Sequence, residues 1–127
     1  MERGIEILVT ISLIVIGLSH VLQPRAWVEF FVMLRQKGTA GVIAVALLHL
    51  HVALLIVAFH PSWRGIPAIV TFLGYAWAMK ATLYFTFPRV GLMSLGYASV
   101  ERARNFVIGG WVLIGLGTVL TYSLMTR

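Results

Sequence analysis

Apolar and polar positions alternate along this chain in long blocks rather than residue by residue. Ile7–Leu22, Thr39–Phe59, Ile66–Phe87 and Phe106–Met125 are apolar almost throughout, and polar residues gather between them. A helix crossing a ~30 Å hydrocarbon layer needs about 20 such residues. The pattern therefore predicts an all-α integral membrane protein with four transmembrane helices, over about 5–22, 39–59, 66–87 and 106–125. The connections are too short to hold a soluble domain, so residues 1–127 read as a single polytopic membrane domain.

Two connections carry a pattern of their own. Pro24 suits the first turn of a helix, and Arg25, Glu29 and Gln36 fall on one side of it, opposite Trp27, Phe30, Phe31 and Leu34. Residues 24–37 are thus expected as an amphipathic segment lying in the membrane interface. Residues 89–104 are expected to do the same, less strongly because Gly91 and Gly96 erode a helix. Ser99 is placed to cap the last helix, which would begin at Val100.

The halves 1–60 and 66–127 look alike. Each has an apolar span ending in Pro-Arg, a half-polar segment and a second span. Laying Pro24 on Pro88 puts His20 on Tyr84, and one inserted residue puts Val42-Ile43 on Val107-Ile108. A tandem two-span repeat would relate the halves by an axis along the membrane normal.

Composition agrees with the spans. The chain is 60% hydrophobic and 11% charged, against about 45–50% and 25% in soluble domains. It has no cysteine, which removes disulfides, thiolate metal sites and thiol nucleophiles. MERGIEILVT lacks a basic leader region and a small-residue cleavage site, so the first stretch reads as a retained span. The net charge of +6 lies at span boundaries, which fits topology better than nucleic-acid binding. Arg25, Arg35, Lys37, Arg89, Arg102 and Arg104 fall on one side, and Arg3, Arg64 and Arg127 on the other. By the positive-inside rule the two long connections are expected in the cytoplasm and both termini outside, in a bacterial cytoplasmic membrane.

Against this background Lys80 stands out as the one charged side chain within an apolar stretch. Such a charge costs about 2.5–3.5 kcal/mol on insertion scales, and by default it marks function or a specific partner. Trp77 and Tyr84 lie on its helical face, at i−3 and i+4. The four acids, Glu2, Glu6, Glu29 and Glu101, are placed at or beyond span ends, so none shares its depth. Lys80 is then neutral, held over an aromatic ring, or paired outside the chain, and a cluster with His49 is geometrically open. His49 and His51 point about 200° apart on a helix and cannot share an ion. His20 and His49 come nearest to a bis-histidine haem pair but differ by roughly 8 Å in depth. The blander reading of each histidine is a hydrogen-bonded packing residue.

No Walker loop, HExxH, GxSxG or pair of catalytic acids is present, so the chain reads as a non-enzyme. Size and span count are similar to those of small multidrug exporters and fluoride channels, but the exporters' carboxylate lies within the first span and Glu6 falls at its edge. The favoured expectation is a structural or accessory subunit of a larger membrane complex, such as an energy-converting one, with Lys80 contacting a partner, lipid or cofactor. The alternatives are a small oligomeric transporter or channel using Lys80 and His49, and a haem- or pigment-binding redox subunit. Candidate site residues are His49, Lys80, Trp77, Tyr84 and His20. The expected partners are the lipid bilayer and other membrane subunits or further copies, with no nucleic acid. No cofactor is required, and a tetrapyrrole or quinone would come through a partner complex.

Overall fold

A computed structural model describes residues 1–127, and its only regular elements are helices. Four long helices, α1 (Glu2–Leu22), α3 (Thr39–Phe59), α4 (Ala68–Thr86) and α6 (Ala103–Thr126), are long and apolar enough to span a membrane. Two short ones, α2 (Pro24–Gln36) and α5 (Pro88–Leu95), lie between the members of each half.

Prolines set both breaks. A residue before proline is pushed out of the α region, and proline itself fits the first turn of the next helix. Accordingly α1 stops at Gln23 (φ −129°, ψ 52°) and α4 stops at Phe87 (φ −129°, ψ 75°), with α2 and α5 starting at the prolines that follow. The two caps also share a hydrogen bond, Gln23 N–H to Ser19 O at 2.8 Å and Phe87 N–H to Leu83 O at 2.7 Å.

Three expectations need correction. The segment 89–104 is not one amphipathic helix: α5 ends at Leu95, and a turn leads to extended backbone at Ser99 (φ −149°, ψ 161°). Ser99 does precede a helical turn at Val100–Arg102, but that turn is 3-10, and the Ser99 hydroxyl is buried without capping it. Finally, Glu6 is not a residue at a span end: α1 extends back to Glu2, and Glu6 is buried within it.

The long helices pack in two pairs, α1 against α6 and α3 against α4. Small residues allow the approach. A Cβ added to Gly17 would stand 2.8 Å from the Gly110 carbonyl oxygen, and Gly74 lies directly against Ile56. The first helix of one half thus pairs with the last helix of the other, which is the reciprocity a two-fold axis between halves would produce. Burial follows it at one spacing: Gly17 and Ala81, Ala46 and Gly110, Ala53 and Gly117, Ile56 and Leu120 are all buried, each pair 64 positions apart. The inserted residue of the sequence alignment is not needed.

Two apolar clusters hold the pairs together. At the end carrying both termini, hereafter the terminal end, Ile5, Val9, Leu13, Ile56, Val70 and Leu120 join all four long helices. At the opposite end Leu34, Val42, Val45, Ala46, Tyr84 and Leu95 join α3 and α4 to the proline-started helices. The outer faces stay apolar and uncovered, as at Leu48, Phe72, Met79 and Trp111.

Candidate functional site

Two polar clusters interrupt this packing. The first forms between α3 and α4, near the middle of both. His49 Nδ1 lies 2.8 Å from the Val45 carbonyl oxygen, which can only accept, so Nδ1 carries a hydrogen. That tautomer leaves a lone pair on Nε2, and Lys80 Nζ stands 3.3 Å from it. The ammonium also sits 5.4 Å from the centre of the Tyr84 ring, and Trp77 meets the His49 ring edge-on at 6.2 Å. Four of the five candidate residues, His49, Lys80, Trp77 and Tyr84, are therefore one cluster. Lys80 lies at the α3–α4 seam.

Both ionisable members are half-buried. A lysine ammonium has three N–H donors. Lys80 spends one on His49 and makes no other hydrogen bond within the chain. The pair is left with donor capacity that no group of the chain accepts, in an otherwise apolar setting.

His20, the fifth candidate, lies elsewhere. Its ring stacks on Trp27 at 4.1 Å and on Phe106 at 5.5 Å, and Nδ1–H donates to Ile16 O at 2.7 Å. It lines an open groove of about 490 Å³ with Phe31, Tyr97, Arg102 and Asn105. A haem bridging His20 and His49 would have to take His49 Nε2 from Lys80, so the two histidines do not form a ready axial pair. His51 is exposed and bonded to Leu47 O, away from His49 as its helical position requires.

The second cluster sits at the terminal end, and its members were absent from the sequence-derived candidates. Glu6 of α1, His60 at the end of α3 and Thr71 of α4 are 4%, 0% and 0% exposed, so the cluster is cut off from water almost completely. His60 Nε2 lies 3.1 Å from Glu6 Oε1, and His60 Nδ1 lies 2.9 Å from Thr71 Oγ1. The Thr71 hydroxyl donates toward the carbonyl oxygens of Ser62 (2.6 Å) and His60 (2.9 Å). Arg127, at the far end of α6, binds the other Glu6 oxygen with a guanidinium that remains 48% exposed. One residue from each of four segments meets there.

About nine residues of α4, roughly 13 Å at the helical rise, separate Thr71 from Lys80. That interval is filled by apolar packing that includes Val52, Ile56, Leu73 and Trp77. The two clusters do not form a continuous polar path. No group of three or more metal-ligating side chains is present. No protein-family model matches the chain, and no curated protein or solved structure is similar to it.

Proposed function

We propose that this chain is a non-catalytic membrane subunit that docks on another membrane component through its α3–α4 face, with Lys80 as the polar contact. The observation that carries the reading is the state of Lys80. It is a half-buried lysine at mid-helix whose one hydrogen-bond partner in the chain is His49, with donor capacity left over. Leu48 and Met79, neighbours of His49 and Lys80 in sequence, are 66% and 65% exposed, so the surface around the charge is apolar. An acceptor from another subunit, a lipid or a cofactor completes such a site at less cost than leaving the charge unmatched. The apolar layer between the clusters counts against a transport path, which leaves assembly as the better supported role.

The test is isolation of the full chain from its native membrane in mild detergent, beside Lys80→Ile. Assembly predicts a component that co-migrates at fixed stoichiometry with the native chain and is lost from the variant while its helicity is retained. A chain that runs alone and monodisperse from native membrane sinks the proposal, as does unchanged co-migration in Lys80→Ile.

A further inference from the structure

The terminal cluster contains more acceptors than the hydrogens of its neutral histidine and ionised glutamate can serve. Thr71 Oγ1 is 2.6 Å from Ser62 O and 2.9 Å from His60 O, and both are carbonyl oxygens. Its single hydrogen must point at them, because oxygen atoms at that spacing without a hydrogen between them repel. Thr71 therefore accepts at His60 Nδ1, and Nδ1 carries the hydrogen. A neutral imidazole with its hydrogen on Nδ1 has a lone pair on Nε2. That lone pair would face Glu6 Oε1, an acceptor, at 3.1 Å. The contact is favourable only with one further hydrogen, carried as imidazolium beside carboxylate or as carboxylic acid beside neutral imidazole.

We infer that Glu6, His60 and Thr71 form a proton-binding site, in which one additional proton is held between His60 Nε2 and Glu6 Oε1. The proton has a route to water that avoids the apolar core. Glu6, Glu2, Arg3, Leu124 and Arg127 line a small vestibule of about 130 Å³ at the terminal end. The charged groups facing the cluster are Glu2 and Arg3 from α1 and Arg127, just past the end of α6. Helix α4 contributes only Thr71, and in the connection after α3 Arg64 is exposed. With the proton bound, Glu6, His60 and Arg127 carry a net charge of +1; without it they carry none.

Release has a structural consequence. Once the proton leaves, the remaining hydrogen serves Glu6 best from Nε2, which turns a bare Nδ1 toward Thr71. The Thr71 hydroxyl then has to choose between Nδ1 and the carbonyl of Ser62. Proton occupancy is thus coupled to the anchoring of the α3–α4 connection. This inference does not depend on the docking role of Lys80, because the two clusters share no residue.

The experiment is nitrogen and carbon NMR of the full chain in lipid bilayers across a pH series, with labelled histidine, glutamate and serine. His60 is assigned by its loss in His60→Gln. The expected result is one step in which the His60 ring nitrogens, the Glu6 carboxyl carbon and the Ser62 carbonyl change together. Glu6→Gln should abolish that step, since the amide can donate to Nε2 with no added proton. Independent changes of His60 and Glu6 overturn the inference. So does a His60 that stays neutral with a bare Nδ1 beside ionised Glu6 at every pH. If Glu6→Gln does not fold, the native chain alone decides.

Discussion

The pair at mid-helix and the cluster at the terminal end are both small islands of polar chemistry in an apolar bundle, yet they are built in opposite ways. His49 and Lys80 are half-buried, with a single hydrogen bond between their side chains and donors to spare. Glu6, His60 and Thr71 are buried, bonded on every side and clamped by Arg127. One leaves donor capacity unused, and the other is closed on itself. Laying one half on the other at the 64-position spacing sharpens the contrast. Moving 64 positions turns Glu6 into Val70, Thr71 into Ile7, His60 into Leu124, His49 into Leu113 and Lys80 into Ile16. All five polar residues stand where the other half has an apolar one, so both clusters are departures from that correspondence. Where a departure is completed within the chain, it should support the fold. Where it is left incomplete, it should weaken the fold and serve something outside.

The largest effect should come from giving Glu6 its counterpart. Glu6→Val leaves His60 and Arg127 without their shared acceptor, and removing one member of a buried pair costs about 3–5 kcal/mol. Unfolding in detergent by heat or added SDS should show a loss of that order. Combining it with His60→Leu should recover most of the loss, because two apolar residues can replace a buried pair almost neutrally. If the single variant is as stable as the native chain, the cluster is not a structural closure. Thr71→Val comes next. It removes a buried hydroxyl that serves two carbonyls and the His60 ring, and the groups left unpaired should cost about 2 kcal/mol in the same assay.

Lys80→Ile should behave differently. It removes an ionisable group whose place among apolar residues is itself unfavourable and leaves behind only the His49 ring. The isolated chain should be unchanged or more stable, within about 1 kcal/mol of native once the unmatched His49 nitrogen is counted. A loss as large as that of Glu6→Val would remove the distinction between the clusters and, with it, the reason to look for a partner at Lys80.

The two clusters also differ in how far the sequence reveals them. Four apolar blocks and two Pro-started segments are visible because hydropathy and proline act locally. Lys80 is visible for the same reason, since a lysine within an apolar run has no local explanation. Its neighbours Trp77 and Tyr84 follow from helical spacing, and His49 follows from comparable depth on the adjoining span. His20 is a candidate from sequence as the nearest haem partner to His49, and side-chain packing assigns it to Trp27 and Phe106 instead. The terminal cluster is different in kind. Glu6, His60, Thr71 and Arg127 each resemble ordinary span-end residues, and the bonds joining Glu6 to His60 and to Arg127 cross 54 and 121 positions. No local pattern encodes them. The one signal at hand was Glu6 between Ile5 and Ile7, a carboxylate already within apolar sequence and one helical turn beyond Glu2.

Arg127 gives the smallest effect and the finest test of closure. Its guanidinium binds Glu6 but remains 48% exposed, so water and salt screen the attraction from one side. Arg127→Ala should therefore cost less than about 1 kcal/mol, far below Glu6→Val, and the difference should shrink further as salt is raised. Glu6 keeps its hydrogen-bonded contact with His60 in that variant, so the interior of the cluster should survive the loss of its outer clamp. If Arg127→Ala proves as damaging as Glu6→Val, the closure depends on the guanidinium and not on the Glu6–His60–Thr71 chain. The cluster would then be an end-to-end tie between α1 and α6 with a histidine beside it, and its resemblance to a sealed internal site would be superficial.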